Sequence, residues 1–250
     1  MQQQLGLPSQ IRVCLFDLDG VVTRTAAQHA KAWKTMFDTF LAAYARRTGQ
    51  PFVPFDIGTD YVKYVDGKRR LDGTRGFLAA RGIDLPPGGP ADTLEDQTVS
   101  GLSNAKNALV LKLIETDGVE VFPDAVSYLD ALREAGVPRA VVTSSANAEQ
   151  VLKVTNLADY FDVKVDALVA NERGLAGKPA PDTFLAGAEL LGAGSHEAAV
   201  FEDALVGVEA GRAGNFGFVV GVDRVGQGEQ LRAHGADVVV RELTELMEQR

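Results

Sequence analysis

The sequence lacks the features that mark several classes of protein. It contains a single cysteine, Cys14, so no disulfide can form within a monomer, and a reducing cytoplasm is the expected location. No apolar run approaches the roughly 18 residues that a membrane helix needs. The first six residues show no basic start followed by an apolar stretch, so we expect no signal peptide. Internal repeats and low-complexity segments are also missing.

Positive charge is scarce as well. The chain has 34 acidic residues against 25 lysines and arginines, a net charge of −9. This balance argues against non-specific binding to nucleic acid or to an acidic membrane surface. An acidic protein that binds an anionic ligand must gather its cations locally, so the positions of individual lysines and arginines are informative.

Hydrophobic periodicity divides the chain into a regular and an irregular part. Residues 11–16 are apolar and run into a loop, as a buried strand does. From about residue 118, short apolar strands alternate with helices, which predicts a parallel sheet with helices on both faces. Residues 25–117 break this alternation. There an amphipathic helix at 26–47 precedes glycine- and proline-rich sequence, which we expect to form short helices and loops.

These patterns predict an α/β fold in which a helical cap domain is inserted into a doubly wound, Rossmann-like parallel sheet. The core would comprise residues 1–24 and 118–250, and the inserted domain, which suits a lid, residues 25–117. The strands predicted after the insert are 139–142, 163–169, 198–201, 217–222 and 238–240. The helices predicted from residue 104 onward are 104–115, 125–135, 148–155, 181–191 and 205–213.

Polar residues follow several of the predicted strands. In an open parallel sheet, ligands bind at the carboxyl ends of the strands. We therefore expect these polar residues to converge on one crevice. They are Asp17 and Asp19 after the first strand, Thr143 and Ser144 after the second, Glu202 and Asp203 after the strand at 198–201, and Lys178 in a loop before a helix.

Two acidic pairs carry the predicted chemistry. Asp17 and Asp19 are spaced i and i+2 after a buried strand, so that both side chains point to one side. One can attack a substrate while the other handles protons. A calcium loop or a solvated turn is the alternative, but an EF-hand calcium loop needs more oxygen ligands and a glutamate at its twelfth position. Glu202 and Asp203 would add negative charge that calls for a cation, and hard oxygen ligands with an expected phosphate select Mg²⁺.

Hydroxyls and one lysine could hold an anion at the same edge of the sheet. Thr143, Ser144 and Ser145 can bind a phosphate through hydroxyls and backbone N–H groups, or cap the following helix, and the two roles are compatible. Lys178 does not belong to a P-loop, because the first glycine of that motif is absent and a proline follows the lysine. It is either an exposed surface lysine or a positive charge at the reacting carboxylates.

Four segments, taken together and in order, resemble the motifs of the haloacid dehalogenase superfamily. They are residues 17–21 (Asp-Leu-Asp-Gly-Val), 142–144 (Val-Thr-Ser), 178–179 (Lys-Pro) and 202–203 (Glu-Asp). The resemblance covers the whole chain. The insert after the first motif is similar to the helical cap of the subgroup that contains sugar-phosphate mutases and small phosphatases. The resemblance implies magnesium-dependent phosphoryl transfer through a covalent aspartyl-phosphate.

Within that subgroup the sequence is most similar to the sugar-phosphate mutases. The similar stretches are residues 19–26 with His29, 72–75 (Asp-Gly-Thr-Arg), 106–107 (Lys-Asn) and 178–184. The sequence also departs from the mutase pattern. Ala146 stands where those enzymes carry a lysine, Arg24 stands where an acidic residue is usual, and residues 64–70 lengthen the cap. Lys68, Arg69 or Arg70 could replace the missing charge.

The resemblance implies a role for each matched residue. Asp17 would attack phosphorus, and Asp19 would act as general acid and base. Mg²⁺ would be held by Asp17, the Asp19 carbonyl, Glu202 and Asp203. The transferring phosphate would be bound by Thr143, Ser144 and Lys178, and the rest of the substrate by Thr25, His29, Arg75, Lys106, Ser145 and Asn147.

Three functions remain open at this stage. A sugar hydroxyl as second nucleophile makes the protein a mutase, which we favour, and water makes it a phosphatase. A non-catalytic binding module is the third, although a mere binder needs neither Asp17 nor Asp19. His29 is alternatively a solvated helix residue, and Trp33 is expected in the core. The expected partner is a small phosphorylated sugar, with no nucleic acid, no membrane and no second subunit.

Overall fold

The computed structural model describes residues 2–248, without the side chains of residues 2, 3 and 248. The chain divides into two compact units, one of residues 1–24 and 119–250 and one of residues 25–118. We call them the sheet unit and the helical unit. The α-helices within the described residues are α1 (Ala26–Thr48), α2 (Arg70–Ala80), α3 (Val99–Asp117), α4 (Pro123–Glu134), α5 (Ala148–Val154), α6 (Ala167–Glu172), α7 (Asp182–Leu190), α8 (Leu205–Ala213), α9 (Gly228–Ala233) and α10 (Glu245–Glu248).

Six parallel strands form the centre of the sheet unit. They are β1 (Val13–Phe16), β2 (Arg139–Val142), β3 (Val163–Val165), β4 (Ala198–Glu202), β5 (Phe218–Val222) and β6 (Val238–Val240). Their order in the sheet is β3-β2-β1-β4-β5-β6, and every neighbouring pair is parallel. The winding direction therefore reverses between β1 and β4. Such a reversal is where open α/β sheets bind ligands.

Alternate residues of β1 pack on opposite faces of the sheet. Leu15 belongs to one apolar cluster with Phe184 of α7. Phe16 points the other way, where its ring lies 6.4 Å from that of Tyr128 of α4 and stacks on Phe201 at 4.3 Å. Because consecutive side chains of a strand point to opposite faces, helices cover both sides of the sheet. The predicted doubly wound α/β class is confirmed.

The helical unit is built on an aromatic core. The rings of Trp33, Phe55 and Phe77 lie 5.3, 5.1 and 4.2 Å from the ring of Phe37. The apolar positions of α1 face this core with helical spacing. The helix ends where Gly49, with a φ of 71°, turns the chain and donates its N–H to the carbonyl of Ala45. A π-helix (Ile57–Val65) precedes α2.

The element predictions for β2, β6 and α8 agree with the structure to the residue, and one prediction is wrong in part. The strand expected over 163–169 ends at Val165, because Asp166 accepts hydrogen bonds from the N–H groups of Leu168 and Val169 and thereby caps α6. Helix α3 is longer than predicted, since Thr98 caps it through the N–H of Gly101. The short helices α6, α9 and α10 were not predicted. No helix within residues 2–248 has the length and apolar character needed to cross a membrane.

Candidate active site

A tight loop after β1 carries the first acidic pair. The N–H of Asp17 donates to the carbonyl of Phe201 at 2.9 Å, which extends the β1–β4 ladder by one residue. The carbonyl of Leu18 then accepts the N–H of Thr23 at 2.9 Å. Gly20 has a φ of 101°, which only glycine adopts readily, and its N–H donates to the Thr23 carbonyl. The loop therefore holds both aspartates at the carboxyl end of β1.

A buried lysine joins the first and last acidic motifs. Lys178 Nζ lies 2.6 Å from Asp17 Oδ1 and 2.5 Å from Glu202 Oε1, and it donates to the Val142 carbonyl at 3.4 Å. Lys178 is 4% exposed, Asp17 6% and Glu202 0%. All three ammonium donors are thus directed at oxygen atoms. Of the two alternatives for Lys178, the structure supports the positive charge at the carboxylates and not the surface lysine.

The charges in this cluster do not balance. Burial raises the pKa of the Asp17 carboxyl to about 8, against the opposing effect of the Lys178 ammonium, and the nearby Glu202 and Asp19 raise it further. Burial by itself lowers the pKa of Lys178, but Asp17 and Glu202 outweigh it and raise that pKa above its usual value. When Asp17 and Glu202 are both ionised, one ammonium faces two carboxylates, and the cluster then has an excess of negative charge. Such an excess favours the binding of a further cation.

Both oxygens of Glu202 are used within the protein. Oε1 accepts from Lys178, and Oε2 accepts the N–H of Ala204 at 2.7 Å. Gly207 of α8 makes room for this carboxylate, because a Cβ at that position would lie 1.7 Å from Glu202 Oε1. This geometry favours a role for Glu202 in orienting Lys178 over the predicted role as a metal ligand. Gly207 was not predicted, although a glycine inside a helix is locally unfavourable and signals a packing requirement.

The second motif reaches Asp19 through a chain of hydrogen bonds. Thr143 Oγ1 donates to Asp19 Oδ2 at 3.3 Å, and the N–H of Ser145 donates to Thr143 Oγ1 at 3.1 Å. The N–H of Asn147 in turn donates to Ser145 Oγ at 3.1 Å. Helix α5 begins at Ala148, and the hydroxyls of Thr143 and Ser145 accept N–H groups within the loop before it. Ser144 lies half-buried in the same loop.

Asp203 lies against the loop that carries the first acidic pair. A Cβ on Gly20 would meet Asp203 Oδ2 at 1.9 Å, so glycine is required there for close approach as well as for its φ. Gln227, a residue not predicted for the site, donates from Nε2 to the Asp203 carbonyl at 2.8 Å. Within residues 2–248 no three histidine, cysteine or acidic side chains are gathered as a preformed metal cluster. Lys178 lies among the carboxylates instead.

The predicted substrate residues of the cap lie in the helical unit. Lys106 is 5% exposed, and its Nζ lies 3.2 Å from His29 Nδ1 and 4.9 Å from the centre of the Trp33 ring. Thr25 is buried before α1, and its carbonyl accepts the N–H of His29. The helical unit thus brings Thr25, His29 and Lys106 together. Arg75 lies on α2, with its side chain 54% exposed beside Asp72.

Comparison with known proteins identifies the family. Residues 11–215 match the family model described as haloacid dehalogenase-like hydrolase. The protein therefore belongs to the haloacid dehalogenase-like hydrolase family, and the expectation drawn from the four ordered motifs is confirmed.

The individual relatives include both mutases and phosphatases. The β-phosphoglucomutase of Mycobacterium tuberculosis is 55% identical over 246 residues, 97% of this chain and 94% of that protein. Hexitol phosphatase A of Escherichia coli is 29% identical over 201 residues, 80% of this chain and 77% of that protein. The crystal structure of β-phosphoglucomutase from Clostridium difficile superposes with a TM-score of 0.71, covering 94% of this chain and 93% of that one at 26% identity.

Proposed function

We propose that the protein is a β-phosphoglucomutase, a magnesium-dependent enzyme that interconverts β-glucose 1-phosphate and glucose 6-phosphate through an aspartyl-phosphate at Asp17. The observation that carries the phosphoryl-transfer chemistry is the buried contact of 2.6 Å between Lys178 Nζ and Asp17 Oδ1. The choice of substrate is supported by the 55% identity to a β-phosphoglucomutase along nearly the whole chain.

Asp17 is suited to act as a nucleophile. Lys178 holds one carboxylate oxygen, and the hydrogen bonds described for residues 2–248 leave Oδ2 for another partner. In the proposed step Oδ2 forms a bond to phosphorus while the bond from phosphorus to the sugar oxygen breaks. The Lys178 ammonium stabilises the negative charge of the phosphoryl group as it transfers.

Asp19 is suited to move the proton. Its Oδ2 accepts a hydrogen bond from Thr143 Oγ1, which orients the carboxyl at the end of the loop. Asp19 donates a proton to the departing sugar oxygen and then accepts one from the hydroxyl that attacks the aspartyl-phosphate. The second transfer regenerates the Asp17 carboxylate, so atoms and charge balance over the cycle.

A magnesium ion fits the residues present. The carboxylates of Asp17 and Asp203 and the carbonyl of Asp19 are hard oxygen donors, and Asp203 lies against the Gly20 turn that carries the other two. When Asp17 and Glu202 are both ionised, the two buried carboxylates outnumber the one ammonium of Lys178, which favours binding of a cation. When bound, Mg²⁺ would neutralise charge on the phosphoryl oxygens. We assign Glu202 to orienting Lys178.

A phosphatase is the second candidate function. Ala146 stands where the mutases that this sequence resembles carry a lysine, and a hexitol phosphatase is among the relatives. A charge-assisted hydrogen bond to phosphate contributes roughly 1.5–3 kcal/mol, so its loss would weaken binding of a second phosphate. Water would then compete better with the sugar as the second nucleophile.

One assay separates the three functions. The purified protein is given β-glucose 1-phosphate with Mg²⁺ and a trace of glucose 1,6-bisphosphate, and glucose 6-phosphate and free phosphate are measured in parallel. Glucose 6-phosphate in large excess over free phosphate is the expected result. Free phosphate without glucose 6-phosphate decides for the phosphatase. If the protein turns over neither this substrate nor a generic aryl phosphate, only the binding module remains.

A further inference from the structure

The loop between β5 and α9, residues 223–227, contacts two of the four motifs. Arg224 Nη2 donates to the carbonyl of Val21 at 3.2 Å, and Val21 ends the first motif. Gln227 Nε2 donates to the carbonyl of Asp203 at 2.8 Å, and Asp203 ends the fourth. The loop itself belongs to no motif. It therefore joins the two segments that carry the acidic pairs.

Arg224 anchors one end of this loop to the rest of the sheet unit. Its Nη1 donates to the carbonyl of Arg241 at 2.6 Å, and its Nη2 lies 2.9 Å from Asp124 Oδ2. The guanidinium carbon lies 3.8 Å from the centre of the Phe122 ring. The side chains of Arg224 and Asp124 are 12% and 9% exposed. A guanidinium that is stacked and bonded in this way has little freedom to move, and it fixes the start of the loop.

Asp223 fixes the other end. One of its carboxylate oxygens accepts the N–H groups of Gly226 and Gln227 at 2.6 and 2.8 Å. The second oxygen accepts the N–H of Gly228 at 3.1 Å. The side chain of Gln227 makes no capping hydrogen bond to α9, although it directly precedes that helix. The backbone of Gln227 is therefore held in place while its amide is directed at the fourth motif.

The contact made by Gln227 acts on a peptide group that has a second role. The carbonyl of Asp203, which accepts from Gln227, shares one planar peptide group with the N–H of Ala204. That N–H donates to Glu202 Oε2 at 2.7 Å. Because the group is planar, a tilt at its carbonyl also tilts its N–H. Gln227 thus controls the hydrogen bond that holds Glu202.

We propose that Gln227 is a positioning residue that sets the orientation of Lys178. The link is Glu202, whose Oε1 accepts from Lys178 Nζ at 2.5 Å. The same ammonium contacts Asp17 Oδ1 at 2.6 Å. A small displacement of a group that stabilises transferring charge lowers the rate strongly. The proposal rests on the function proposed for Asp17 and Lys178.

Two readouts test this role. Gln227→Met keeps the length of the side chain and removes the donor. We expect kcat for β-glucose 1-phosphate and for a small acyl phosphate to fall by the same factor, about tenfold or more, because Lys178 acts on any transferring phosphoryl group. In the ¹⁵N-labelled protein kept in chelator, the signal of the Lys178 ammonium should shift. That signal is assigned by its loss in Lys178→Arg.

Gln230→Met is the matched control, because it makes the same substitution at an exposed position of α9. It should change neither the rates nor the Lys178 signal. A double variant tests the route through Glu202. Once Glu202→Gln has disturbed that link, Gln227→Met should add little further shift. Full additivity of the two shifts would contradict the proposal.

The two readouts also separate this proposal from the proposed function. An unmoved Lys178 signal in Gln227→Met would overturn the positioning role, and so would a shifted signal with wild-type turnover. A loss of kcat with only one of the substrates would overturn it as well. A wild-type protein that turns over neither substrate would refute the function proposed for Asp17, and the Lys178 signal would still decide whether Gln227 orients the ammonium.

Discussion

The two units of this protein treat buried charge differently. In the sheet unit, a cluster of buried charges is matched internally, with Lys178 contacting Asp17 and Glu202 at 2.6 and 2.5 Å, although Arg224 Nε of the same unit has no hydrogen-bond partner within the described residues. In the helical unit, the core is aromatic, and buried nitrogens of Arg69 and Arg70 have no partner within the described residues. The sheet unit also accounts for all of the net negative charge, because residues 25–118 hold one more cation than they hold acidic residues.

The difference indicates which unit is suited to bind a metal cation. A lysine between carboxylates leaves negative charge in excess, so the sheet unit is suited to a metal cation accompanied by a phosphoryl group. The helical unit holds 12 lysines and arginines against 11 acidic residues, so it has no comparable excess of negative charge.

The largest expected effect concerns the nucleophile of the sheet unit. Asp17→Asn should lower sugar-phosphate turnover at least about a thousandfold, because an amide keeps the shape of the side chain but is a poor nucleophile. Turnover is measured as glucose 6-phosphate formation, and circular dichroism checks that the variant is folded. Asp84→Asn, an exposed amide substitution in the helical unit, is the control. Retention of more than about a tenth of wild-type activity would contradict the covalent mechanism.

Removal of the cation should be nearly as severe. Excess chelator is expected to stop turnover, and Mg²⁺ to restore it, because the buried carboxylates of Asp17 and Glu202 outnumber Lys178. Ca²⁺ should bind and inhibit, since its coordination is longer and looser. Initial rates with and without each ion provide the measurement. Full activity in chelator would show that no metal takes part.

The buried ion pairs can be compared with one at the surface. Lys178→Met should lower the free energy of unfolding by roughly 3 kcal/mol, because two buried carboxylates lose their partner. Arg133→Met removes the cation of the Arg133–Asp130 pair, whose side chains are 52% and 40% exposed. This substitution should change the free energy of unfolding by less than about 1 kcal/mol. Urea unfolding in chelator measures both variants. Similar losses in the two variants would mean that burial does not strengthen the Lys178 pairs.

Arg75 tests the specificity role predicted for the helical unit. Arg75→Ala should reduce turnover of β-glucose 1-phosphate by about tenfold to a hundredfold, the effect of losing one charge-assisted contact to phosphate. Turnover of a small acyl phosphate should stay near the wild-type rate, because that substrate has no distal group. Lys112→Ala, exposed on α3, is the matched control. An equal loss with both substrates would argue against a distal contact.

Two glycines within helices provide the comparison with the smallest expected effect on stability. Gly207→Ala places a Cβ 1.7 Å from Glu202 Oε1, so we expect a loss of about 1–3 kcal/mol in the free energy of unfolding and a lower turnover as Lys178 shifts. Gly76→Ala in α2 meets its nearest heavy atom only at 4.0 Å and should instead stabilise the protein by about 0.5–1 kcal/mol. Thermal unfolding of both variants decides. Stabilisation by Gly207→Ala would show that the close packing of Glu202 is dispensable.

Sequence patterns predicted the sheet better than the loops and short helices. Short runs rich in valine are typical of strands in a parallel sheet, so β2 (Arg-Ala-Val-Val) and β6 (Val-Val-Val) could be located to the residue. The strand expected at 163–169 was too long because its second half is equally apolar. What ends β3 is the carboxylate of Asp166, which caps α6 through two N–H groups. Such a cap depends on one side-chain orientation, which hydrophobicity does not reveal.

The sequence predicted which residues belong to the site but not which contacts they make. The motifs identified Asp17, Lys178 and Glu202, whereas Gly207 and Gln227 were missed because each acts through a residue of another segment. The metal ligands and the substrate contacts of the helical unit, including His29 and Lys106, stay predictions. Their roles depend on a ligand and not on the contacts that the two residues make with each other.

By itself, the sequence determined the fold class, the family and the identity of the charged residues, because apolar periodicity and short motifs are local properties of the chain. Only the tertiary structure decided how those charges are matched. Lys178 and Asp17 are 161 residues apart in sequence, and nothing local distinguishes a buried lysine from an exposed one. The same holds for Arg69 and Arg70, whose unmatched nitrogens become evident only when the surrounding helices are packed. Hydrogen bonds and ion pairs depend on distances of a few ångströms between segments that folding brings together.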